Sequence, residues 1–481
     1  MRYRNIILGL LIFFSTQAYA QADINDFISG QVSGNEVFLE YDHTAMLDSI
    51  DALNAAISSA QASAPSQASA SPEWGFYFQI GADIDGEAGH DYSGWSVSLS
   101  SDGTTVAIGA PYNSDNDSGH VRIYSWNSDT SSWEQQGDDI NGEAAGDESG
   151  YSVSLSSDGN VVAIGSINND GNGSNSGHVR IYSWNSNTSS WDQQGEDIDG
   201  ESEGDLSGFS VSLSFDGSTV AIGAPYNDGN GGNSGHVRIY SWDSDTSSWN
   251  QQGEDIDGEA TSDESGWSVS LSSDGTTAAV GARFNADNGN YSGHIRIYSW
   301  NSDTSSWDQQ GDDIDSEAAT DESGRSVSLS SDGTTVAIGA PYNDGNGGNS
   351  GHVRIYSWDS DTSSWEQQGD DIDGESEGDQ SGYSVSLSSD GTTVAIGARF
   401  NADNGDFSGH VRIYSWNSDT SSWDQQGVDI DGEAEDDFSG YSVSLSSDGT
   451  TVAIGAPGNK DSNLDPREGS ATGHVRIYSW N

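Results

Sequence analysis

The sequence predicts an all-β chain folded as a seven-bladed β-propeller of four-stranded antiparallel blades. Three observations carry this. A Ser-Gly pair ahead of a Ser-Val-Ser run recurs with its glycine at positions 94, 150, 208, 266, 324, 382 and 440. A second anchor, Gly-His-(Val/Ile)-Arg-Ile-Tyr-Ser-Trp, also occurs seven times, at His120, His178, His236, His294, His352, His410 and His474. Between the anchors apolar and small residues alternate with period 2, the pattern of strands rather than helices.

Within one unit, Ser96-Val97-Ser98-Leu99-Ser100 alternates, Ser101-Asp102-Gly103 turns, and Thr105-Val106-Ala107-Ile108-Gly109 alternates again, which makes a hairpin. After a polar loop, His120 to Trp126 gives a third strand, Asn127 to Ser132 a turn, and Trp133-Glu134-Gln135-Gln136 the start of a fourth. Four strands per unit and seven near-identical units without distinct capping repeats favour a closed ring over a solenoid. Val97, Leu99, Val106 and Ile108 share one face of the hairpin, with Ser, Ala and Gly on the other, so large side chains of one blade can meet small ones of the next. The chain stops at Trp480-Asn481, after the third strand of the last unit, while Trp74 to Glu87 matches the fourth-strand segment Trp133 to Glu143. The N-terminal strand is therefore expected to complete the last blade, with Trp74 beside Trp480.

Ahead of the repeats, residues 1–20 carry Arg2 and Arg4, an apolar run from Ile6 to Phe14, and Ala18-Tyr19-Ala20, which reads as a secretory signal peptide. In 21–72, Met46, Ile50, Leu53 and Ile57 mark one face of a short amphipathic helix over Thr44 to Ala62, followed by a Ser/Ala/Pro linker to Pro72. This segment is read as a helical element that docks or serves self-assembly, and 73–481 as the propeller. Beyond the leader no apolar run approaches the ~18 residues of a spanning helix. Secretion to the extracellular space, the cell surface or the periplasm follows.

Composition restricts function. The 481 residues hold 77 Asp and Glu against 14 Lys and Arg, a formal charge of −63, and no Cys. Such a surface repels phosphate backbones and anionic lipid, which excludes nucleic acid as a partner. The missing thiols exclude disulfide scaffolds, zinc-thiolate sites and thiol nucleophiles. The 16 Trp, 19 Tyr and 12 Phe separate the chain from disordered acidic tails.

The segment Asp-x-Ser-Gly-x-Ser-Val, then Val-Ala-Ile-Gly-Ala-Pro, then Ser-Gly-His-Val-Arg-Ile-Tyr is similar to the FG-GAP repeat of integrin alpha-subunit propellers and their bacterial relatives. Gly-Ala-Pro stands at Gly109-Ala110-Pro111, Gly223-Ala224-Pro225, Gly339-Ala340-Pro341 and Gly455-Ala456-Pro457. Two departures matter: the Phe of Phe-Gly is Ser (Ser93, Ser149), and the Asp-rich calcium loop of the first hairpin is shortened to Ser-Asp-Gly. One Asp in a tight turn cannot supply the six to eight oxygens that calcium takes, so that site is not carried over. The resemblance implies the fold and extracellular binding or adhesion, not a reaction.

Two residue sets are candidate sites on the loop face where the repeats differ. The loop joining one blade to the next spaces oxygens at Asp83, Asp85, Glu87 and Asp91, repeated at Asp197, Asp199, Glu201 and Asp205. Calcium or another hard cation is one reading; carboxylates that cap turns and pair with Arg122 and its equivalents are the favoured one. The second set is the breaks in the repeat: Arg283-Phe284 and Arg399-Phe400 replace Pro-Tyr, Arg325 replaces an aromatic, and the last blade inserts a stretch with Lys460 and Arg467. These are the expected contacts to a protein or glycan ligand. The sevenfold arginines and histidines are read as structural, and the Trp pairs as sheet stabilisation ahead of a sugar platform. No catalytic constellation stands out, since nearly every Ser, His and Asp is repeated sevenfold. A binding or adhesion protein is expected, then a structural subunit of a surface assembly, and last an enzyme.

So dense and one-signed a charge predicts that the melting temperature rises with sodium chloride between ~0.01 and ~1 M, as the Debye length falls from about 30 to 3 Å. A melting temperature independent of salt would show that the acids are already compensated.

Overall fold

Serine alternating with Val and Leu places one face of the strand Ser96–Leu99 in the core and leaves the other half-buried. The Ser-Asp-Gly turn then returns the chain as Thr105–Ala110, buried along its whole length. In this computed structural model, residues 75–113, 117–460 and 471–481 are described, with the backbone of two further strands, Ile28–Ser33 and Glu36–Tyr41. The signal-peptide reading, the helix over Thr44 to Ala62, the linker, Trp74 and Arg467 lie outside the described residues. The chain divides into two units, 1–73 and 74–481. In the first, the two strands pair antiparallel from Ile28↔Tyr41 to Ser33↔Glu36. Among the described residues there is no helix, and none long and apolar enough to cross a membrane.

The second unit is seven antiparallel sheets of one design. In blade 4 the order is Ser265–Leu271, Thr277–Ala282, His294–Asn301 and Ser306–Gln309, with a two-residue strand, Ile314–Asp315, paired beside the last of these on the same third strand. The fourth strand is thus interrupted, and the reason lies in the neighbouring blade. Gly137, inside the interruption of blade 1, has φ +82°, and a Cβ there would come 2.9 Å from Trp184 of blade 2. Strand continuity gives way to the approach of that indole.

The last blade takes Ser442–Leu445, Thr451–Ala456 and His474–Trp480 from the C-terminal end and Tyr77–Gln79 with Ile84–Asp85 from the N-terminal end of the unit. Tyr77 stands opposite Trp480, with ring centroids 4.8 Å apart. The sequence alignment placed Trp74 there; three extra residues precede the true equivalent of Trp133, which is Tyr77.

Apolar layers between blades form the core. Ala107, Val121 and Ile123 of blade 1 pack on Val153, Leu155, Val162 and Ile164 of blade 2, and Ala453, Val475 and Ile477 of blade 7 pack on Val97, Leu99, Val106 and Ile108 of blade 1. Small residues let the backbones close in: a Cβ on Gly109 would lie 2.1 Å from the Gly150 carbonyl oxygen. That carbonyl accepts from Ser96 Oγ at 2.8 Å, and the same bond recurs at every junction to Ser442 Oγ donating to Gly94 at 2.9 Å. Near the first-hairpin turns, backbone N–H groups make a closed circle, Ser101 to Ser157, Phe215, Ser273, Ser331, Ser389, Ser447 and back to Ser101, each donating to the next at 2.8–2.9 Å.

The third-strand arginines do not rest chiefly on ion pairs, as their sequence setting suggested. Each donates Nη2 to a fixed backbone carbonyl on the preceding blade: Arg122 to Asp85 at 2.8 Å, Arg238 to Asp199 at 2.7 Å, and the other five at 2.6–2.8 Å. Glu87 approaches Arg122 only to 3.8 Å and is half exposed, so water competes for it. The Trp pairs are likewise structural. Trp133 Nε1 donates to the Ile80 carbonyl, and Trp191, Trp249, Trp307, Trp365 and Trp423 make the same bond to the preceding blade.

Because the core is shared between blades, Ile239→Ala, which truncates a 2% exposed side chain at the junction of blades 3 and 4, should cost about 2–5 kcal/mol. Denaturant unfolding that matches the parent within error would contradict this packing.

Candidate functional site

The residue after each Ser-Gly begins the innermost strand of its blade, so its seven copies face one another around the axis. They are Trp95, Tyr151, Phe209, Trp267, Arg325, Tyr383 and Tyr441, and they line an axial cavity of about 240 Å³. The circle is continuous. Centroids are 5.6 Å apart for Trp95 and Tyr151, 5.0 Å for Tyr151 and Phe209, 4.2 Å for Phe209 and Trp267, 5.1 Å for Tyr383 and Tyr441, and 4.6 Å for Tyr441 and Trp95. Arg325 fills the remaining place, its guanidinium 4.8 Å from the Trp267 ring and 4.4 Å from that of Tyr383.

Two more arginines reach this part of the circle from the second loops of blades 4 and 6. Arg283 lies 3.2 Å over Trp267 and is paired with Glu264 at 2.9 Å and Glu322 at 3.5 Å. Arg399 lies 3.7 Å over Tyr383, and its Nε donates to the Gln380 side chain at 3.1 Å. Phe284 and Phe400 stack under their own arginines, at 4.0 and 4.3 Å. Of the expected ligand contacts, Arg283, Phe284, Arg325, Arg399 and Phe400 are therefore gathered on one side of the mouth. Lys460 is not among them; it is exposed and pairs with Asp436 at 3.2 Å.

Burial pushes the Tyr441 hydroxyl well up. Burial also acts on Tyr383, but the Arg325 and Arg399 guanidiniums outweigh it and hold its hydroxyl below the ordinary tyrosine value. Arg325 Nη2 donates to the Tyr383 hydroxyl.

Sequence reasoning missed Tyr291 and Phe407. Both are exposed, at 52% and 46%, and their rings lie 4.7 Å from Phe284 and 5.0 Å from Phe400. Each occupies a left-handed backbone position, φ +56°, that blades 2, 3 and 5 fill with Asn175, Asn233 and Asn349. Asn accepts this conformation readily and an aromatic residue does not. Both therefore combine exposure with a left-handed backbone, and the legible signal was Asn giving way to Tyr or Phe at a fixed place in the repeat.

The four carboxylates of one inter-blade loop do not converge. Asp91 is fully buried and caps the loop, accepting from the Ala88 N–H at 2.7 Å and the Glu87 N–H at 3.1 Å; Asp205 does the same for Ser202 at 2.9 Å. Asp83 and Asp85 gather at His474, whereas Glu87 gathers with His120 and Asp139 of the next blade. Asp197 faces His178 at 3.7 Å; Glu201 faces His236 and Arg238, each at 3.9 Å. Asp199 pairs across the strand with His178, its carboxyl pushed up by burial and by Asp197.

Glu148 occupies in blade 2 the rim position that Glu264 and Glu322 hold in blades 4 and 5. Burial, with Asp117 adding repulsion, pushes its carboxyl up to about 7. An acid raised in the folded state destabilises the fold as pH rises: nothing below the unfolded value of 4.5, increasingly between 4.5 and 7, and fully above. Glu148→Gln should therefore match the parent's melting temperature near pH 4.5 and exceed it at pH 8. A constant difference across that range would contradict the assignment.

Five stretches of the chain, residues 82–124, 141–182, 198–240, 255–298 and 307–356, match the model of the FG-GAP repeat. No curated protein sequence matches the chain. Among solved structures the chain is similar to hydrazine synthase of Kuenenia stuttgartiensis, with a TM-score of 0.50 and 13% identity over 78% of this chain and 94% of that one. It is also similar to the periplasmic gluconolactonase of Pseudomonas aeruginosa, with a TM-score of 0.47 and 12% identity over 71% and 85%. At 13% identity the first likeness reaches the fold alone. With five matched repeats, and the same unit recurring at Gly382 and Gly440, the chain belongs to the FG-GAP repeat β-propellers.

Proposed function

We propose that this is a secreted or cell-surface binding propeller without catalytic activity, which takes an anionic group of an extracellular glycan or protein at the arginine-bearing side of its axial mouth. One observation carries the reading. In a chain of formal charge −63, three guanidiniums, Arg283, Arg325 and Arg399, are gathered with two carboxylates, Glu264 and Glu322, among the described residues. Arg283 and Arg325 are engaged by Glu264, Glu322 and Tyr383, whereas Arg399 uses Nε on the Gln380 side chain and offers its Nη edge to the two oxygens of a carboxylate or sulfate. Tyr291 and Phe407 supply exposed rings for the apolar face of a sugar or side chain.

Screening the protein against acidic and neutral glycans and a panel of surface proteins tests this. Arg399→Ala removes the cation with no acidic partner among the described residues and should weaken binding roughly ten- to a hundredfold, the loss of about 1.5–3 kcal/mol for a charged hydrogen bond, with the melting temperature kept. Equal affinity of variant and parent, or no acidic ligand found, overturns the reading.

A second reading, an enzyme, is favoured by Tyr383, which alone among the described tyrosines is held below its ordinary value. A tyrosine hydroxyl lowered by two neighbouring guanidiniums is the kind of group that exchanges a proton with a substrate held beside it. Cleavage of an acidic polysaccharide by the parent but not by Tyr383→Phe would replace the binding reading with this one.

A further inference from the structure

Blades 4 and 6 depart from the repeat in a second way, away from the axis. Arg-Phe-Asn-Ala-Asp-Asn-Gly stands at 283–289 and at 399–405, where blades 3 and 5 read Pro-Tyr-Asn-Asp-Gly-Asn-Gly. The loop acid has moved one residue along. In blade 3 it is Asp228, exposed, accepting from the Asn233 N–H at 2.8 Å, while Gly229 holds the inner position, where a Cβ would come 3.2 Å from Asp257 Oδ1. In blades 4 and 6 the inner position is Asp287 and Asp403. Each joins a histidine and two further carboxylates, Glu259, His294 and Asp313 in one case and Glu375, His410 and Asp429 in the other, with all donor atoms within 4.8 Å of one another.

The histidines show that these are more than acidic clusters. The rings of His294 and His410 are 0% and 1% exposed, and the Nδ1 atom of each is buried without a hydrogen-bond partner. Nδ1 of His294 faces Asp313 Oδ2 at 3.6 Å and Glu259 Oε2 at 4.0 Å; Nδ1 of His410 faces Asp429 Oδ2 at 3.8 Å and Glu375 Oε2 at 3.9 Å. These separations are too long for hydrogen bonds. They suit donors around a shared ion, since ligands bound at about 2.0–2.2 Å to a tetrahedral centre stand roughly 3.4 Å apart. The second oxygen of each glutamate is turned 3.7 Å from Arg296 or Arg412.

We propose that Glu259, Asp287, His294 and Asp313, and likewise Glu375, Asp403, His410 and Asp429, form two sites for a first-row divalent metal ion, Zn2+ or Mn2+, held by one imidazole nitrogen and three carboxylates. The nitrogen donor sets the class: calcium and magnesium take oxygen, whereas imidazole suits the transition metals. Glu259 and Glu375, about two-fifths exposed, leave the sites open to solvent. Each ion would tie the segment entering the blade to its second loop and fourth strand. The proposal does not rest on the binding function of the axial mouth.

Metal content after incubation with Zn2+ or Mn2+ and desalting, with calorimetric titration of the same full-length protein, provides the test. Two equivalents per chain are expected, bound at least tenfold tighter than Ca2+. Asp287→Gly should remove one equivalent and the double variant with Asp403→Gly both; glycine is the residue of blades 2, 3 and 5 at this place, so the fold should survive, which circular dichroism checks. His294→Gln, isosteric in part and uncharged, is the second probe and should also remove one equivalent. No retained metal, equal affinity for Ca2+, seven equivalent sites, or unchanged stoichiometry in the double variant each overturns the proposal.

Discussion

The ring depends on the third-strand arginine that leaves its own blade. Each of the seven guanidiniums is buried and donates to a carbonyl at the end of the preceding blade's fourth strand. A buried cation is costly unless hydrogen-bonded, and a backbone carbonyl cannot swing away as a side chain can. The bond therefore fixes the spacing of neighbouring blades. It brings the loop glutamate of one blade beside the histidine of the next, and it leaves the innermost strands close enough for Ser96 and its equivalents to reach across. At one junction the acceptor is Asp85, from the N-terminal segment that completes the last blade, so the same bond ties the first blade to the seventh.

Part of the acidity is built into the scaffold. Asp102, Asp158, Asp216, Asp274, Asp332, Asp390 and Asp448 lie in the first-hairpin turns. Burial raises each of them, but hydrogen bonds from neighbouring hydroxyl, amide and backbone donors outweigh it and hold the carboxyl below its usual range. Asp91, Asp147, Asp205, Asp263, Asp379 and Asp437 cap the inter-blade loops through backbone N–H groups. Such acids answer to donors in their own turns. The few cations left over from the blades thereby gain local weight at the mouth.

Strand number, order and pairing were legible because period 2, tight turns and a sevenfold repeat leave few alternatives. The interruption of the fourth strand was not, because its cause, Trp184 against Gly137, sits one blade away. Arg283, Arg325 and Arg399 were visible as breaks in the pattern, yet their convergence follows only from the position after Ser-Gly starting the innermost strand. The division of the loop at Asp83, Asp85, Glu87 and Asp91 was not legible for a related reason. Part of it is strand, so successive carboxylates point to different neighbours, and Asp83 and Glu87 serve different blades. Asp287 was hidden by its small offset, one residue from the Asp of the common loop.

The clasp of the ring has a mechanical consequence. Tyr77, where the N-terminal strand begins, is paired with Trp480, one residue from the end of the chain, and the strands run antiparallel. Tension between the two ends thus falls on one rung at a time, Tyr77 and Trp480 first, and opens the seventh blade as a zipper. A load applied through the N-terminal side alone enters the ring at the same three-residue strand, while the apolar layers and arginine bonds between the other blades stay out of its path.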